Sequence, residues 1–174
     1  MKTKKYLILA AIPAMCLAGM WAAKSFAALT EKQLSLAEIK GLFVFVQGLT
    51  EETKKAGLTS EQIQTAVEEK LKQLGIKVVS EEECSKLPGS PVLYVNISAR
   101  RRPRTPTFVF HIDVGLLQKV TLVRDAKIRI MSITWSKGRL GHCPARAFAK
   151  SVQEAVEYLM NRFAKDYTVA NPKP

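Results

Sequence analysis

The run Arg100-Arg101-Arg102-Pro103-Arg104 contains the residue types that suggest binding most directly. A guanidinium group presents a planar fork of N–H donors that can bind a phosphate or a carboxylate in a bidentate manner. Because proline interrupts a strand ladder, we expect this run at the tip between two strands. Arg100, Arg101, Arg102 and Arg104 are therefore the candidate residues of an anion-binding surface. The alternative is a solvated loop whose charges deter pairing at a strand edge.

His111 and Asp113 are residue types that can act as a general acid or base. Two positions separate them in a predicted strand, so their side chains should share one face at a distance of about 7 Å. A small exported hydrolase that uses this pair is one alternative function. A polar pair on the wet face of a strand is the structural interpretation. The sequence contains no glycine-rich phosphate loop, no G-x-S-x-G turn and no H-E-x-x-H helix. These absences favour a protein that binds without catalysis, and no cofactor or metal is predicted.

The first 27 residues have the pattern of a secretory signal peptide. Three lysines within the first six residues precede an uncharged stretch over residues 7–23. Ser25 and Ala27 then occupy the −3 and −1 positions of a cleavage site before Ala28. A retained anchor and lipidation at Cys16 are alternatives, but the apolar stretch is short for a membrane span of about 20 residues. We therefore expect export to the periplasm, with secretion as the alternative.

Export changes which partners are expected. Removing four leader lysines lowers the formal net charge from +12 to +8 over the remaining 147 residues. A basic patch of this kind would ordinarily indicate nucleic acid, but an exported protein does not meet it. The expected partners are anionic lipid headgroups, lipopolysaccharide or an acidic envelope protein.

Cys84 and Cys143 are the two cysteines that follow the predicted cleavage site. An oxidising compartment permits a disulfide, and we predict one between them, with two free buried thiols as an alternative. His111 and His142 could complete a four-ligand zinc site with these cysteines. Paired ligand spacing is missing from the sequence, so the zinc site is the less favoured interpretation.

Apolar periodicity predicts the elements of one domain over residues 41–170, with a loose arm or short helix over 28–40 and a tail over 171–174. Predicted strands cover residues 41–49, 76–79, 92–102, 107–124 and 127–136, and a loop covers 136–143. Capped apolar stripes predict helices over residues 59–75 and from Pro144 onward. The predicted fold class is α+β: a two-layer sandwich in β-α-β-β-β-α order, with a mixed five-stranded sheet and both long helices on one face.

Three details of the sheet follow from residue types. Gly115 is expected at a β-bulge, and Trp135 is expected to fill the core rather than to form a ligand platform. Phe43 and Phe45 share one face of the first strand, opposite Leu42 and other apolar residues. If helices cover only one face, these aromatic side chains favour association with a partner or a second copy, so a homo-oligomeric structural subunit is a further alternative.

The element order and several short motifs resemble known exported proteins. The motifs are Gly57-Leu58-Thr59, Val120-Thr121-Leu122-Val123-Arg124, Thr134-Trp135 and the closing Phe163, Tyr167 and Asn171-Pro172. Together they resemble small uncharacterised exported bacterial proteins. The layout is similar to the amino-terminal domain of the TolB translocation protein and to curli-secretion lipoproteins. This resemblance implies a periplasmic, non-catalytic, envelope-associated module, and it offers no catalytic residues to carry over.

Overall fold

A computed structural model of the protein describes residues 29–47 and 49–172. The predicted signal peptide, residues 1–27, lies outside these residues, as do residues 173–174 of the predicted tail. None of the helices in the described ranges combines the length and the apolar character that crossing a membrane requires.

Five helices and five strands follow one another along the described chain, with one short 3-10 turn at Ala145–Ala147. The helices are α1 (Glu31–Leu34), α2 (Glu51–Lys55), α3 (Ser60–Gln73), α4 (Glu81–Ser85) and α5 (Phe148–Ala170). The strands are β1 (Gly41–Val46), β2 (Lys77–Val78), β3 (Val92–Arg101), β4 (Thr107–Leu122) and β5 (Asp125–Pro144).

The strands form one mixed sheet in the order β2-β1-β3-β4-β5. β1 pairs in parallel with β2 and β3, while β3, β4 and β5 form an antiparallel meander. The parallel pairing of β1 with β2 follows from the crossover through α3 between them. The predicted α+β class and the mixed five-stranded sheet are confirmed.

The helices cover one face of this sheet. α3 packs on β1 and on α5, and α5 packs on β4 and β5. Thr59 and Gln62 form the capping box that begins α3, as the sequence predicts. Trp135 is fully buried against Phe163 of α5, with ring centroids 5.2 Å apart, which confirms its expected place in the core. The prediction that both long helices lie on one face is therefore confirmed.

Alternation along the strands separates the two sides of the sheet. Leu93, Val95 and their neighbours are buried under the helices, whereas the intervening side chains are exposed or half-buried. We call the second side the open face; it carries Phe45, Tyr94 and His111. No helix of the described chain covers it.

The prediction of a loop over residues 136–143 is wrong, because β5 continues to Pro144. Its partner β4 supplies a complete ladder, in which Phe110 pairs with Gly141 and Phe108 with Cys143. The Phe110 ring lies over Gly141, where a side chain would collide with it. The glycines that suggested a loop thus make room for β4 side chains.

The predicted bulge lies close to its expected place but on the neighbouring strand. Leu116 pairs with Trp135 and Leu117 with Ile133, so Thr134 of β5 is the extra residue.

The arm over residues 28–40 is not loose in its described part. Thr30 and Gln33 form a capping box on α1, and Leu36 is completely buried. Asn171 donates to Leu36 O at 3.0 Å and accepts from Glu38 N–H at 2.9 Å, so the first residue of the predicted tail fixes the arm. Of the two expected alternatives, the described part of this segment therefore has the short helix, and long-range polar contacts hold it on the domain.

The predicted Cys84–Cys143 disulfide is not formed, and both cysteines are buried free thiols. Cys84 Sγ lies 3.2 Å from Pro91 O, beside the first residue of β3. Cys143 pairs with Phe108, which pairs with Arg101 at the other end of β3. Nine steps from Val92 to Arg101, at roughly 3.3 Å each, separate these ends by about 30 Å, whereas a disulfide requires Cα atoms within about 7 Å.

Candidate functional site

The four predicted arginines lie together where β3 passes into β4. Arg100 and Arg101 end β3, and Arg102 and Arg104 lie in the connection that follows. The Arg102 N–H donates to Thr107 O at 2.8 Å, which closes the connection. All four residues are exposed. We call Arg100, Arg101, Arg102 and Arg104 the basic tip, and the structure brings them together as the sequence predicts.

Arg104 has a left-handed backbone, with φ of 60°. This conformation is costly for residues with a Cβ and is ordinarily left to glycine or asparagine. Thr105 N–H donates to Arg102 O at 3.4 Å across the turn. A long basic residue therefore occupies a position that the backbone alone would assign to glycine.

The positive charge of the basic tip is not neutralised within the described chain. All five ion pairs found there lie elsewhere, and none includes an arginine. Glu52 lines a cavity of about 540 Å³ with Arg101, Arg102 and Arg104, but no ion pair forms. Arg139, by contrast, packs over the Tyr158 ring at 4.8 Å. Arginines of the tip are thus free to bind an anion, whereas Arg139 has a packing role.

A groove of about 650 Å³ runs beside the basic tip, and we call it the edge groove. Every residue from Asn96 to Pro103 lines it, together with Gln47, Thr50, a stretch of β4 and Leu140 of β5. Tyr94 donates its hydroxyl hydrogen bond to Gln47 Oε1 near one end. The edge groove therefore joins polar side chains of the open face to the guanidinium groups of the tip.

His111 and Asp113 lie together on the open face, as the sequence predicts. His111 Nδ1 is 3.0 Å from Asp113 Oδ2, and the two side chains are 46% and 43% exposed. A Cβ at Gly138 would lie 2.8 Å from Asp113 Oδ1 and 3.1 Å from His111 Nε2, so the glycine makes room for the pair. His111 lines the edge groove, but no hydroxyl or thiol of the described chain is hydrogen-bonded to it. The pair lacks the nucleophile–base contact of covalent catalysis.

The positions of Cys84 and Cys143 in the fold bear on thiol reactivity and on the alternative of a zinc site. Burial raises the pKa of the Cys84 thiol, so this group is a poor nucleophile at neutral pH. Cys143 lies at the other end of β3 from Cys84, and within residues 29–47 and 49–172 no three metal-ligating side chains come together. The structure does not assemble the set of Cys84, Cys143, His111 and His142.

Apolar side chains on the open face support the argument for association. Phe45 is 47% exposed and stacks on Tyr94, with ring centroids 6.0 Å apart. Leu140 of β5 is 72% exposed on the same face. Leu140 also lines the edge groove.

The edge groove is the part of the site that sequence reasoning missed. β1 pairs with β3 only from Phe43–Val92 to Val46–Val95, and β3 continues for six residues beyond that. The predicted strands differ in length, and a short strand beside a long one leaves part of the long strand's edge unpaired. This difference was a weak indication of the free edge of β3. The parallel register that places this free edge beside the arginines is a long-range property.

Comparison with known proteins finds no matching family model and no matching curated protein. Similar solved structures include a PelC dodecamer from Paraburkholderia phytofirmans in space group C2, with TM-score 0.44, 14% identity and coverage of 71% of this chain and 87% of that one. A second PelC dodecamer from the same organism, in space group P6, has TM-score 0.43, 15% identity and coverage of 79% and 91%. The hypothetical protein CT253 from Chlamydia trachomatis has TM-score 0.42, 10% identity and coverage of 74% and 98%.

Proposed function

We propose that this protein is an exported, non-catalytic binding or assembly module of the cell envelope that holds an anionic partner at its basic tip. The observation that carries the proposal is the group of four arginines at the tip without a carboxylate partner in the described chain. An envelope protein with acidic groups, an anionic lipid and lipopolysaccharide are the partner classes that fit this chemistry.

The choice of residue favours binding over mere protection of a strand edge. Lysine is the residue that natural sheets use most for protecting an edge, whereas the tip contains arginine at all four positions. Arginine provides bidentate hydrogen bonds to carboxylate or phosphate that lysine cannot provide. The left-handed backbone of Arg104 supports the same conclusion, because strained residues persist more often at functional sites.

The proposed location rests on the signal-peptide pattern of residues 1–27. Cell fractionation followed by amino-terminal sequencing tests it. The proposal expects a mature chain in the periplasm that begins at Ala28. An intact chain that begins at Met1 and stays in the cytoplasm contradicts it.

A homo-oligomeric structural subunit is the second candidate, favoured by Phe45 and Leu140 on the open face. Light scattering of the mature protein separates the candidates. A monomer at micromolar concentration supports a binding module alone, whereas a stable higher mass supports the oligomer. The hydrolase alternative has no comparable support, because no nucleophile within residues 29–47 and 49–172 is hydrogen-bonded to His111 or Asp113.

The binding test compares two charge variants of the mature protein. The tip variant changes Arg100, Arg101, Arg102 and Arg104 to Gln. The control variant changes Lys119, Arg124, Lys127 and Arg129 to Gln, which removes the same charge near the β4–β5 turn at the opposite end of β4. Calorimetric titration then uses three probes: dextran sulfate, phosphatidylglycerol vesicles and a glutamate-rich peptide.

We expect at least one probe to bind with an affinity that falls as salt concentration rises. Hydrogen bonds to charged groups contribute about 1.5–3 kcal/mol each, so the tip variant should bind at least about tenfold more weakly. The control variant should bind within about twofold of the wild type. Equal losses in both variants, or no binding of any probe, contradict the proposal.

A further inference from the structure

One stretch of β3 has an unpaired edge beside the basic tip. The Gln47 N–H donates to Val95 O at 2.9 Å, and no backbone hydrogen bond joins the described residues of the β1 side to β3 beyond that point. β3 nevertheless continues through Asn96 to Arg101, paired only with β4 on its other side. Six residues of strand therefore present one free edge.

Alternation identifies the backbone groups that face outward. Val95 directs its carbonyl oxygen toward β1, so Ile97, Ala99 and Arg101 direct their N–H and C=O groups the same way. The even-numbered residues direct their backbone groups the other way, toward β4. Arg102 is one of them, since its N–H donates to Thr107 O. Three outward residues provide as many as six hydrogen-bonding groups, and a row of such groups is a template for another strand.

The edge groove keeps the space beside these groups open. Its lining includes every consecutive residue from Asn96 to Pro103, so it reaches the unpaired edge of β3, and it extends across the open face to His111 of β4 and Leu140 of β5. The groove holds about 650 Å³, and the free edge is about 20 Å long at roughly 3.3 Å per residue. An extended segment of about six residues matches that length.

Charge determines which kind of strand can pair there. Arg100 and Arg102 line the groove, and no carboxylate of the described chain pairs with them. A second copy of this edge would bring like charges together, which disfavours self-pairing. An acidic segment would instead place its carboxylates beside guanidinium groups.

We propose that an acidic, extended segment of another protein binds the edge groove by adding a strand to β3. Its backbone pairs with the outward groups of Ile97, Ala99 and Arg101, and its carboxylates bind Arg100 and Arg102. This inference rests on the proposed function, because the arginines of the basic tip supply the charge. A peptide fits better than a lipid or a polysaccharide, since only a peptide backbone supplies donors and acceptors at the strand repeat.

The test uses a labelled peptide of about twelve alternating Glu and Val residues, whose period matches the strand. A matched probe carries N-methyl groups on alternate residues, which keeps the charge and removes backbone donors. Dextran sulfate and phosphatidylglycerol vesicles are the probes for charge alone. We expect the unmodified peptide to bind at least about tenfold more tightly than its N-methylated form, because the latter lacks the pairing bonds.

Two protein variants locate the pairing edge. Ala99→Pro removes an outward N–H in the groove without removing a β3–β4 bond. His142→Pro is the matched control on β5. Residue 142 lies opposite Val109, and alternation along β5 directs its N–H toward the outer edge of the sheet, away from β4. We expect Ala99→Pro to weaken peptide binding at least about tenfold and His142→Pro to leave it within about twofold.

Amide hydrogen exchange of the unmodified protein gives a readout that does not depend on a variant folding. The amides of Ile97, Ala99 and Arg101 should exchange at least about tenfold more slowly with the peptide bound, and dextran sulfate should not slow them. Equal binding of the N-methylated peptide, or no added protection of these amides, overturns strand addition. If dextran sulfate binding still depends on the basic tip in that case, the proposed function stands while the inference fails.

Discussion

The indole N–H of Trp135 donates a 3.0 Å hydrogen bond to Asp166 Oδ2, and the other carboxylate oxygen of Asp166 accepts from Gln33 Nε2 at 3.1 Å. One side chain of α5 therefore joins the buried tryptophan of β5 to the amino-terminal arm. Trp135 is completely buried, so its N–H has no access to water in place of this bond.

Replacing Asp166 with Ala should lower the free energy of unfolding by about 1–3 kcal/mol, because the buried indole N–H loses its acceptor. Asp166→Asn keeps one acceptor oxygen and should cost less. Urea unfolding of both variants, compared with Glu157→Ala at an exposed position of α5, measures the difference. Equal stability of Asp166→Ala and the wild type contradicts this role.

Gly141 should not tolerate a side chain, because an added Cβ collides with the Phe110 ring. Gly141→Ala is expected to lower the free energy of unfolding by about 1–3 kcal/mol through overpacking. The double variant with Phe110→Leu should recover part of this loss, since the smaller side chain leaves room. Thermal unfolding of the single and double variants tests the contact, and strictly additive losses would refute it.

Cys84 and Cys143 should each react as a free thiol. A thiol reagent should react slowly with both in the folded protein, because they are buried, and should label both in denaturant without reductant. The separation of the two cysteines along β3 is the physical reason. Finding no reactive thiol in the denatured, unreduced chain would show that the described fold is wrong in this region.

Stability should fall at alkaline pH. Burial raises the pKa of Cys84 above its ordinary value near 9.0 and that of Tyr167 above 10.0. Each group therefore ionises more readily in the unfolded chain, so stability is complete below the unfolded pKa and declines as pH rises toward the folded value. Denaturant unfolding from mildly to strongly alkaline pH, across these two ordinary pKa values, measures the decline, and Cys84→Ala should reduce its first part. A stability that rises over this interval contradicts the assignment.

The local parts of the fold could be predicted from sequence because neighbouring residues determine them. Thr59 and Gln62 mark the start of α3, and the apolar stripe of α5 determines which side faces the sheet. The sequence did not indicate that β5 includes residues 136–143, since glycines weaken a strand pattern and only the pairing of Phe110 with Gly141 explains them.

The candidate site divides in the same way. The basic tip was predictable because its arginines are nearly consecutive and prolines interrupt the strand nearby. The edge groove depends on where β1 leaves β3, which is a relationship between Gln47 and Val95, residues distant in sequence. The wrong disulfide has the same origin, because the spacing of Cys84 and Cys143 carries no information on strand register.

Photo-crosslinking in whole cells tests whether the basic tip binds a component of the cell envelope. A photoreactive residue is placed at Thr105 in the connection that carries Arg102 and Arg104, or at the fully exposed Val123 in the β4–β5 turn. We expect a covalent adduct with an envelope component from position 105 that is lost when the four tip arginines become Gln, and no such adduct from position 123. An adduct from position 105 that persists without the arginines, or identical adducts from both positions, would contradict this expectation.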